Sequence, residues 1–557
     1  MSSYLCAGTY LTDVPHLPHY CAAMKAFLKA YGPAIASGVL LAVAFPSWSL
    51  FPLAWVALAP VLYQARGLTP RACAGRFFLA GWVFYSLLLH WLMTNVYWAG
   101  GWAFWGYQFL CVYLALYWAA AGCAWSLLRH RGLFLLWPCM ELVQARFLSG
   151  FGWGAIGYSQ GKDLLILQLA SLGNVVIISA VVVLVNECIA FSIPRLVGRS
   201  VDKPRFKSNP KSRIQNPKYT FSLVALFLGI IVLIAGHAAG LFLLGQPDYK
   251  TKPFSVGIIQ TDFPLEMKWD PEYSEEMVRN AADKSRRLAQ HEKVDLFLWP
   301  EATVMDEIAK PGIAREITAL TRETGAALFA GAQRRNEKTG GYPNSSFLID
   351  KEGKVVDFYD KVHLVAFGEY VPFGEYFPFI QKVVPAIGDV EAGDKQKVLS
   401  VGGEKFGPLI CFEVLFRNLA MNLRETGASV LVVITNLGWF GSSAAIPQEL
   451  EVARMRAVET RLPLAHCSNT GISGVFDPWG RFTMIDAYVA PNGNYYRLNG
   501  RLAPAQTVMQ RLVGALPVPT PASRLLPPAL AQGALIAATA AMILLAIIQR
   551  TAGSRKR

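Results

Sequence analysis

The sequence predicts two fold classes in one chain: an all-α membrane domain and an α/β domain carried with it. Three observations lead there. Charged residues occupy 16% of the 557 positions, against about 25% in soluble proteins. Mean hydropathy is +0.33, too apolar for a wholly soluble chain unless large greasy patches face water. The apolar residues are also unevenly placed. Long apolar runs dominate positions 1–245, positions 250–510 read as an ordinary soluble domain, and the tail returns to an apolar run ending in Arg555, Lys556 and Arg557.

A bilayer-spanning helix needs about 20 mostly apolar residues. Eight segments qualify: 27–46, 49–66, 77–97, 103–127, 132–149, 164–192, 220–244 and 524–549. The first two leave room only for a tight turn at Pro46, Ser47 and Trp48. The expected organisation is an N-terminal extension (1–26), a membrane domain of about seven helices (27–245), an extramembrane domain (246–515), and a last membrane helix with a basic tail (516–557). The start of the chain shows no strong signal-peptide pattern. Arg66, Arg71 and Arg76, then Arg129 and Arg131, then the basic 195–218 loop, then the tail occupy alternate loops. The positive-inside rule puts those loops and both termini in the cytoplasm, and the α/β domain on the opposite side.

The net charge of +14 invites a nucleic-acid reading. The basic residues instead cluster beside apolar runs and no nucleic-acid motif is present, so that class is excluded. Of nine cysteines, seven lie in the N-terminal region and read as small core residues. Cys411 and Cys467 alone belong to the α/β segment, and a disulfide between them is disfavoured. No CxxC pair or Cys/His cluster has metal spacing, so no metal is expected. The glycine-rich 150–158 segment reads as an interfacial or re-entrant loop. Trp98, Trp102, Trp105 and Trp153 read as an aromatic belt.

In the α/β segment, strands are expected at 254–259, 294–299, 327–331, 408–410, 429–435, 464–469 and 474–476, with a hairpin over 344–360. Helices are expected at 274–290, 313–324, from 416, and 447–460. Such alternation argues a sheet covered by helices.

Cys411 stands where a short apolar strand turns into a helix. Converging backbone N–H groups there stabilise a thiolate or an oxyanion, although position alone favours a buried structural cysteine. Glu301 closes the apolar stretch 295–301, where glutamate is rare unless paired. It can accept a thiol proton or, equally, cap a following helix. Lys361 precedes an apolar stretch. Near a thiolate it would stabilise negative charge; by itself it would be an exposed loop lysine. Glu369 either orients the site or closes a loop by a salt bridge.

The ordered set Trp299-Pro300-Glu301, Lys361 and Cys411-Phe412-Glu413 resembles the nitrilase superfamily with its Glu–Lys–Cys triad. The stretches DKVHLVAFGEYVP (360–372), ICFEVLF (410–416), TNLGWFG (435–441) and ARMRAVETRLPL (453–464), joined to membrane spans, resemble the apolipoprotein N-acyltransferases of bacterial cytoplasmic membranes. The resemblance covers nearly the whole chain. It implies a nitrilase-like αββα sandwich inserted between transmembrane helices seven and eight, on the periplasmic side of the inner membrane. It also implies acyl transfer from the sn-1 position of a phospholipid, typically phosphatidylethanolamine, through a Cys411 thioester. The acceptor is the N-terminal amine of a diacylglyceryl-cysteine apolipoprotein. No cofactor is implied, and a monomer is the expectation. Carried over by motif, Glu301, Lys361 and Cys411 form the triad. Glu369, Phe412 and Glu413 lie near it, and Trp269 handles substrate from a loop.

This chain departs from the pattern at Phe412, where tyrosine is common, at Ala366 in place of proline, and at Glu449, where histidine is frequent. Candidate lids are Asp262–Asp270, Phe367–Phe379 and Gly438–Ser443; each is otherwise an ordinary surface loop. Two rival readings are a membrane-tethered nitrilase-type amidase and a transporter or lipid-binding scaffold. The scarcity of intramembrane charge argues against the second.

Overall fold

The computed structural model describes residues 17–95, 100–196, 217–245, 253–268, 270–291, 293–372, 390–484 and 510–513. The expectations for the 524–549 span, the basic tail, most of the 195–218 loop, Trp98 and Trp269 fall outside those residues.

The N-terminal part is helical: α1 (Leu17–Ala44), α2 (Pro70–Leu88), α3 (Trp102–Leu127), α4 (Leu133–Gln144), α5 (Val175–Leu196) and α6 (Pro217–Leu244), with shorter turns between. Among the described residues, four helical stretches are long and apolar enough to cross a membrane: Ala23–Ala44, Ala103–Leu127, Val175–Ser192 and Leu223–Leu244. Phe109 and Leu116 on α3 and Phe227, Ile231, Ile234 and Phe242 on α6 are exposed. That is a surface suited to lipid rather than water.

Four expected spans are displaced, broken or short: segment 77–97 lies in α2, which starts earlier, at Pro70, and ends at Leu88, followed by the turn His90–Asn95, and the other three differ for local reasons. Segment 49–66 divides into the turn Phe51–Leu53 and the short helices Ala54–Ala57 and Ala59–Ala65, because Pro52 and Pro60 each lack a backbone donor. Asn186 of α5 repairs the gap. Its Oδ1 accepts from the N–H groups of Leu58 (2.8 Å) and Ala59 (3.1 Å), and its Nδ2 donates to the Ala54 carbonyl at 2.9 Å. With no water in a bilayer core, such repair by a side chain is required. Segment 164–192 is interrupted at Asn174 (φ +79°), where α5 begins. Segment 132–149 gives only the 12-residue α4. Glu187 caps the start of α4, accepting from the N–H groups of Leu133 and Phe134 at 3.1 Å and from Trp125 Nε1 at 3.0 Å.

The α/β part contains β1 (Pro253–Ile258), α7 (Ser274–His291), β2 (Leu296–Val304), α8 (Pro311–Thr324), β3 (Ala327–Gln333), β4 (Tyr342–Ile349), β5 (Val355–Asp360), β6 (Val390–Glu391), β7 (Leu399–Val401), β8 (Glu404–Ile410), α9 (Arg417–Glu425), β9 (Val430–Thr435), α10 (Ala445–Thr460), β10 (Leu464–Ser468), β11 (Gly474–Phe476), β12 (Phe482–Met484) and β13 (Gln510–Val513). One sheet runs β13-β1-β2-β3-β4-β5, with β6 beside β4; the other runs β12-β11-β10-β9-β8-β7. The pairs β1–β2, β2–β3, β4–β6, β8–β9 and β9–β10 are parallel, and the other pairs antiparallel.

Strand periodicity builds the layers. Leu296 and Leu298 join Phe406, Ile410, Val432 and Ile434 in a core between the two sheets. Their neighbours Phe297 and Trp299 face Val278, Ala281 and Ile317 of α7 and α8. On the far side, Leu409, Leu431 and Val433 meet Leu419 of α9 and Val452 of α10, and that core is continuous with the membrane helices. The result is a helix–sheet–sheet–helix sandwich whose second helix layer rests on the membrane domain.

Polar contacts lock this junction. Gln448 on α10 uses its whole amide: Oε1 accepts from Trp91 Nε1 (3.1 Å) and Trp153 Nε1 (2.7 Å), and Nε2 donates to the Pro46 and Leu88 carbonyls at 2.9 and 3.2 Å. Trp153 therefore does not belong to a lipid-facing belt: it is buried at the junction, whereas Trp105 is exposed. Cys411 and Cys467 are both free. Cys467 is buried and directs its thiol at the Ile259 and Leu298 carbonyls.

Candidate active site

Cys411 is the first residue after β8. It opens the five-residue turn Cys411–Leu415 and holds φ at +54°. A non-glycine residue in the left-handed region costs about 1–3 kcal/mol and persists where the surroundings enforce it. Glu413 supplies that enforcement. It is fully buried. Its Oε2 accepts the Ile410 N–H at 2.8 Å, and its Oε1 accepts the N–H groups of Val362 (2.9 Å) and His363 (3.1 Å) and the Tyr359 hydroxyl (2.7 Å). Burial raises its pKa to about 6, with these donors opposing the shift. Glu413 thus clamps the cysteine turn to the segment that carries Lys361, and both its oxygens are spent on that task.

Glu301 lies inside β2 rather than at its end, because β2 continues to Val304 across an irregularity after Trp299, with Ala302 at φ +53°. The carboxylate is buried and accepts from Asn344 Nδ2 at 2.8 Å. Lys361, 1% exposed, places Nζ 2.8 Å from Glu369 Oε1 and 3.9 Å from Glu301 Oε1. Glu369 is itself anchored by the Val365 N–H at 2.8 Å, and Asn344 reaches it at 3.4 Å. The cluster is therefore two carboxylates and one ammonium, with the Asn344 amide bridging the carboxylates.

The electrostatics follow from burial and neighbours. Burial pushes the Cys411 thiol well up and Glu301 adds to that, while Lys361 opposes both. Burial also raises Glu301, against Lys361. Burial works against the Lys361 charge, yet Glu369, Cys411 and Glu301 together carry its pKa above the ordinary lysine value. Lys361 is thus a permanent cation, and the cysteine rests as a thiol whose proton has a carboxylate to go to.

Phe412 is half-buried, with ring centroids 5.5 Å from Phe416 and 6.3 Å from Phe151 of the membrane domain. The turn that bears Cys411 thus touches the apolar helical part through aromatic rings. Glu449 is buried on α10, accepts from Thr435 Oγ1 at 3.3 Å, and has its pKa raised to about 8 by burial and by Glu301. Of the candidate lids, the 438–443 segment is tethered: Phe440 packs edge-on against Trp91 at 4.8 Å. Trp269 and residues 373–379 lie outside the described residues.

Sequence reasoning missed two groups. Asn344 had a weak signal, a polar residue inside a strand. Lys268 had none beyond its charge; it is 1% exposed, donates to the Glu301 and Ala302 carbonyls at 3.0 and 3.1 Å, and has its pKa lowered to about 7 by burial. It holds the backbone on which Glu301 stands.

Comparison with known proteins places the sequence in a family. A model described as carbon-nitrogen hydrolase fits residues 256–487, and one described as the apolipoprotein N-acyltransferase N-terminal domain fits 37–188. An apolipoprotein N-acyltransferase from Geobacter metallireducens is 34% identical, over 81% of this chain and 86% of its own length. The chain belongs to the apolipoprotein N-acyltransferase family. Further members are similar to it, from Agrobacterium fabrum (30% identical) and Pseudomonas aeruginosa (28%), each over 80% of this chain and 86% of theirs. Among solved structures, the NitN amidase from Nesterenkonia is 23% identical, with a TM-score of 0.31 over 41% of this chain and 87% of that one. The family's carbon-nitrogen hydrolase part thus coincides with the double-sheet sandwich, and its N-terminal part with the apolar helices.

Proposed function

We propose that this chain moves an acyl chain from a phospholipid to the N-terminal amine of a diacylglyceryl-cysteine apolipoprotein, at the periplasmic face of a bacterial inner membrane. The α/β domain, roughly 246–515, stands on that side between the seventh and eighth membrane helices, and the chain acts as a monomer. The reading is supported best by one observation: the turn bearing Cys411 packs through Phe412 on Phe151 of the apolar, membrane-type domain. A nucleophile built for small soluble amides has no need of that seat. Holding lipid esters near their bilayer avoids exposing acyl chains to water, at about 0.8 kcal/mol per CH₂.

The cycle is ping-pong. Glu301 takes the thiol proton as Cys411 sulfur attacks the ester carbonyl. Lys361 and a backbone N–H at Phe412 hold the tetrahedral oxyanion; one such donor is typically worth about 3 kcal/mol. The C–O bond breaks as Glu301 returns its proton to the departing oxygen, the lysophospholipid leaves as the alcohol, and a thioester remains on Cys411. The neutral lipoprotein amine then attacks that thioester and gives a proton to Glu301; the C–S bond breaks, and Glu301 passes the proton to the Cys411 sulfur, restoring the thiol and the carboxylate. Glu369 keeps Lys361 charged and aimed, and Trp269 assists from the 262–270 loop.

The test is acceptor choice. Purified protein in phospholipid nanodiscs, given a diacylated lipopeptide, should release lysophospholipid and triacylated peptide in equal amounts. Turnover of small amides to carboxylic acids, with no peptide acylation, would favour a membrane-tethered amidase instead.

A further inference from the structure

Strand β2 is irregular where Glu301 stands, and a lysine from another segment fills the break. Trp299 pairs with Ala330 and Val304 with Ala332, so residues 300–303 oppose Gly331 alone. A Cβ on Gly331 would lie 2.4 Å from the Pro300 carbonyl oxygen and 2.7 Å from the Glu301 Cα, a close backbone approach that keeps the position to glycine. Ala302 takes φ +53°, and the Thr303 hydroxyl turns back to the Pro300 carbonyl at 2.8 Å. Irregularities of this kind re-aim side chains next to active sites. The carbonyls of Glu301 and Ala302 both accept from Lys268 Nζ, at 3.0 and 3.1 Å.

Lysine is an unusual choice for this place. It is 1% exposed, and lysine is almost never buried so deeply unless paired with a charge. The acceptors it holds are neutral carbonyls, and burial lowers its pKa to about 7, against the opposing pull of Glu301 and Cys467. An apolar side chain would fill the space without the cost of burying an ammonium.

The same lysine ends a segment that is docked at its other end. Asn469, fully buried beyond β10, accepts with Oδ1 from the Thr261 hydroxyl (2.6 Å) and the Phe263 N–H (3.0 Å). Its Nδ2 donates to the Phe263 carbonyl (2.9 Å) and to Asn436 Oδ1 (3.0 Å), and its own carbonyl takes the Asp262 N–H at 2.7 Å. Phe263 and Leu265 are buried. The segment is thus fastened at 261–263 by Asn469 and at 268 by the peptide of Glu301.

We propose that Lys268 is a positioning residue for acyl transfer: by holding the carbonyls of Glu301 and Ala302 it sets the Glu301 carboxylate as base, and it does so only while the 261–268 segment is docked. With that segment lifted the base is unset, so water that enters finds no group placed to activate it against the thioester. The inference rests on the reading of Glu301 as the base given above. A charge effect accompanies the geometric one. Glu301 is faced by Lys361 and Glu369 from beyond β5, by Cys411 on its turn, by Glu449 on α10 and by Lys268. Burial raises the Glu301 pKa; Lys361 opposes, Glu369 reinforces, and the Asn344 amide and then Lys268 oppose more weakly. Loss of the Lys268 charge therefore moves the acidic limb of any reaction that uses this base to higher pH.

The test is the pH profile of Cys411 alkylation by iodoacetamide in full-length protein, read by peptide mass mapping, beside single-turnover acylation from phosphatidylethanolamine, read by intact mass. Alkylation needs the base but no lipid. Lys268→Met should lower both rates about 10- to 100-fold, as small misplacements of a reacting group do. It should also shift both acidic limbs upward by up to about 1 pH unit and leave the half-saturating phospholipid concentration unchanged. Lys268→Gln, which keeps a donor but no charge, should show the same shift with a smaller loss of rate. Asn469→Ala should slow both reactions, with no further loss when combined with Lys268→Met. Thermal midpoints control for folding, and Thr261→Val takes the place of Asn469→Ala if that variant does not fold. Folded Lys268 variants with the wild-type rate and profile overturn the proposal. So does a docking variant that reacts at the wild-type rate, or one whose loss adds in full to that of Lys268→Met. The expected shifts in alkylation, with no acylation even in the wild type, support the role of Lys268 and defeat the phospholipid-donor reading instead.

Discussion

The Lys361 ammonium lies 2.8 Å from the Glu369 carboxylate and 3.9 Å from that of Glu301, so the nearer acid fixes the lysine and leaves the farther one available as a base. Glu369→Gln should remove that anchor and lower single-turnover acylation of Cys411 by about 100-fold, in the range of a lost general acid–base contribution. Lys361→Arg should not restore activity, because a planar fork does not replace a compact ammonium in so closed a space. Wild-type acylation rates in either variant would remove Lys361 from the oxyanion role.

Glu413 predicts a stability effect more than a chemical one. Glu413→Ala leaves the N–H groups of Ile410, Val362 and His363 without their acceptor. Each unsatisfied buried donor costs about 1–3 kcal/mol, so a loss of about 3 kcal/mol or more is expected, read as a lower thermal midpoint in detergent. Glu413→Gln should lose less, since the shape and one acceptor remain.

Glu449 gives a pH dependence with a definite sign. Its folded pKa is raised to about 8 from an ordinary 4.5. Below about pH 4.5 the acid is protonated in both states. Between 4.5 and 8 the unfolded chain releases this proton while the folded one keeps it, so stability falls as pH rises through that window. Glu449→Gln should flatten the fall, with its largest gain in thermal midpoint at pH 8 and above. Its charge also disfavours the Cys411 thiolate, so the same variant should alkylate faster at pH 8–9. Glu449→His should retain activity; complete loss would give the position a direct part in the reaction.

The domain junction is testable at Gln448. Gln448→Ala strands the Trp91 and Trp153 indole N–H groups and two carbonyls. By the cost of unsatisfied buried groups, stability should drop by about 2–4 kcal/mol. An unchanged thermal midpoint would mean that the α/β domain does not depend on this contact.

Much of this was legible in the sequence. Short apolar runs announced the strands, because both faces of each enter a core: 429–435 matched β9 to within one residue, whereas 294–299 stopped five residues before β2 ends at Val304. The candidate site was legible as motifs, and Glu301, Lys361 and Cys411 stand in one electrostatic cluster. The membrane spans were less so. Hydropathy counts apolar residues but does not register that Pro52 and Pro60 break a helix, that Asn174 resets another, or that Asn186 and Glu187 mend the ends. Trp153 looked like a belt residue because its partner, Gln448, lies 295 positions away. Lys268 and Asn344 went unseen for the same reason: their roles exist only once distant strands are side by side.

The most direct measurement is the intact mass of the purified protein after incubation with a phospholipid of single acyl composition and no acceptor. The account predicts a mass gain of one acyl chain on Cys411, discharged by added diacylated lipopeptide, absent in Cys411→Ser and nearly absent in Glu301→Gln. A wild-type protein that stays unacylated while still transferring acyl groups, or an adduct that survives in Cys411→Ser on another residue, would contradict it.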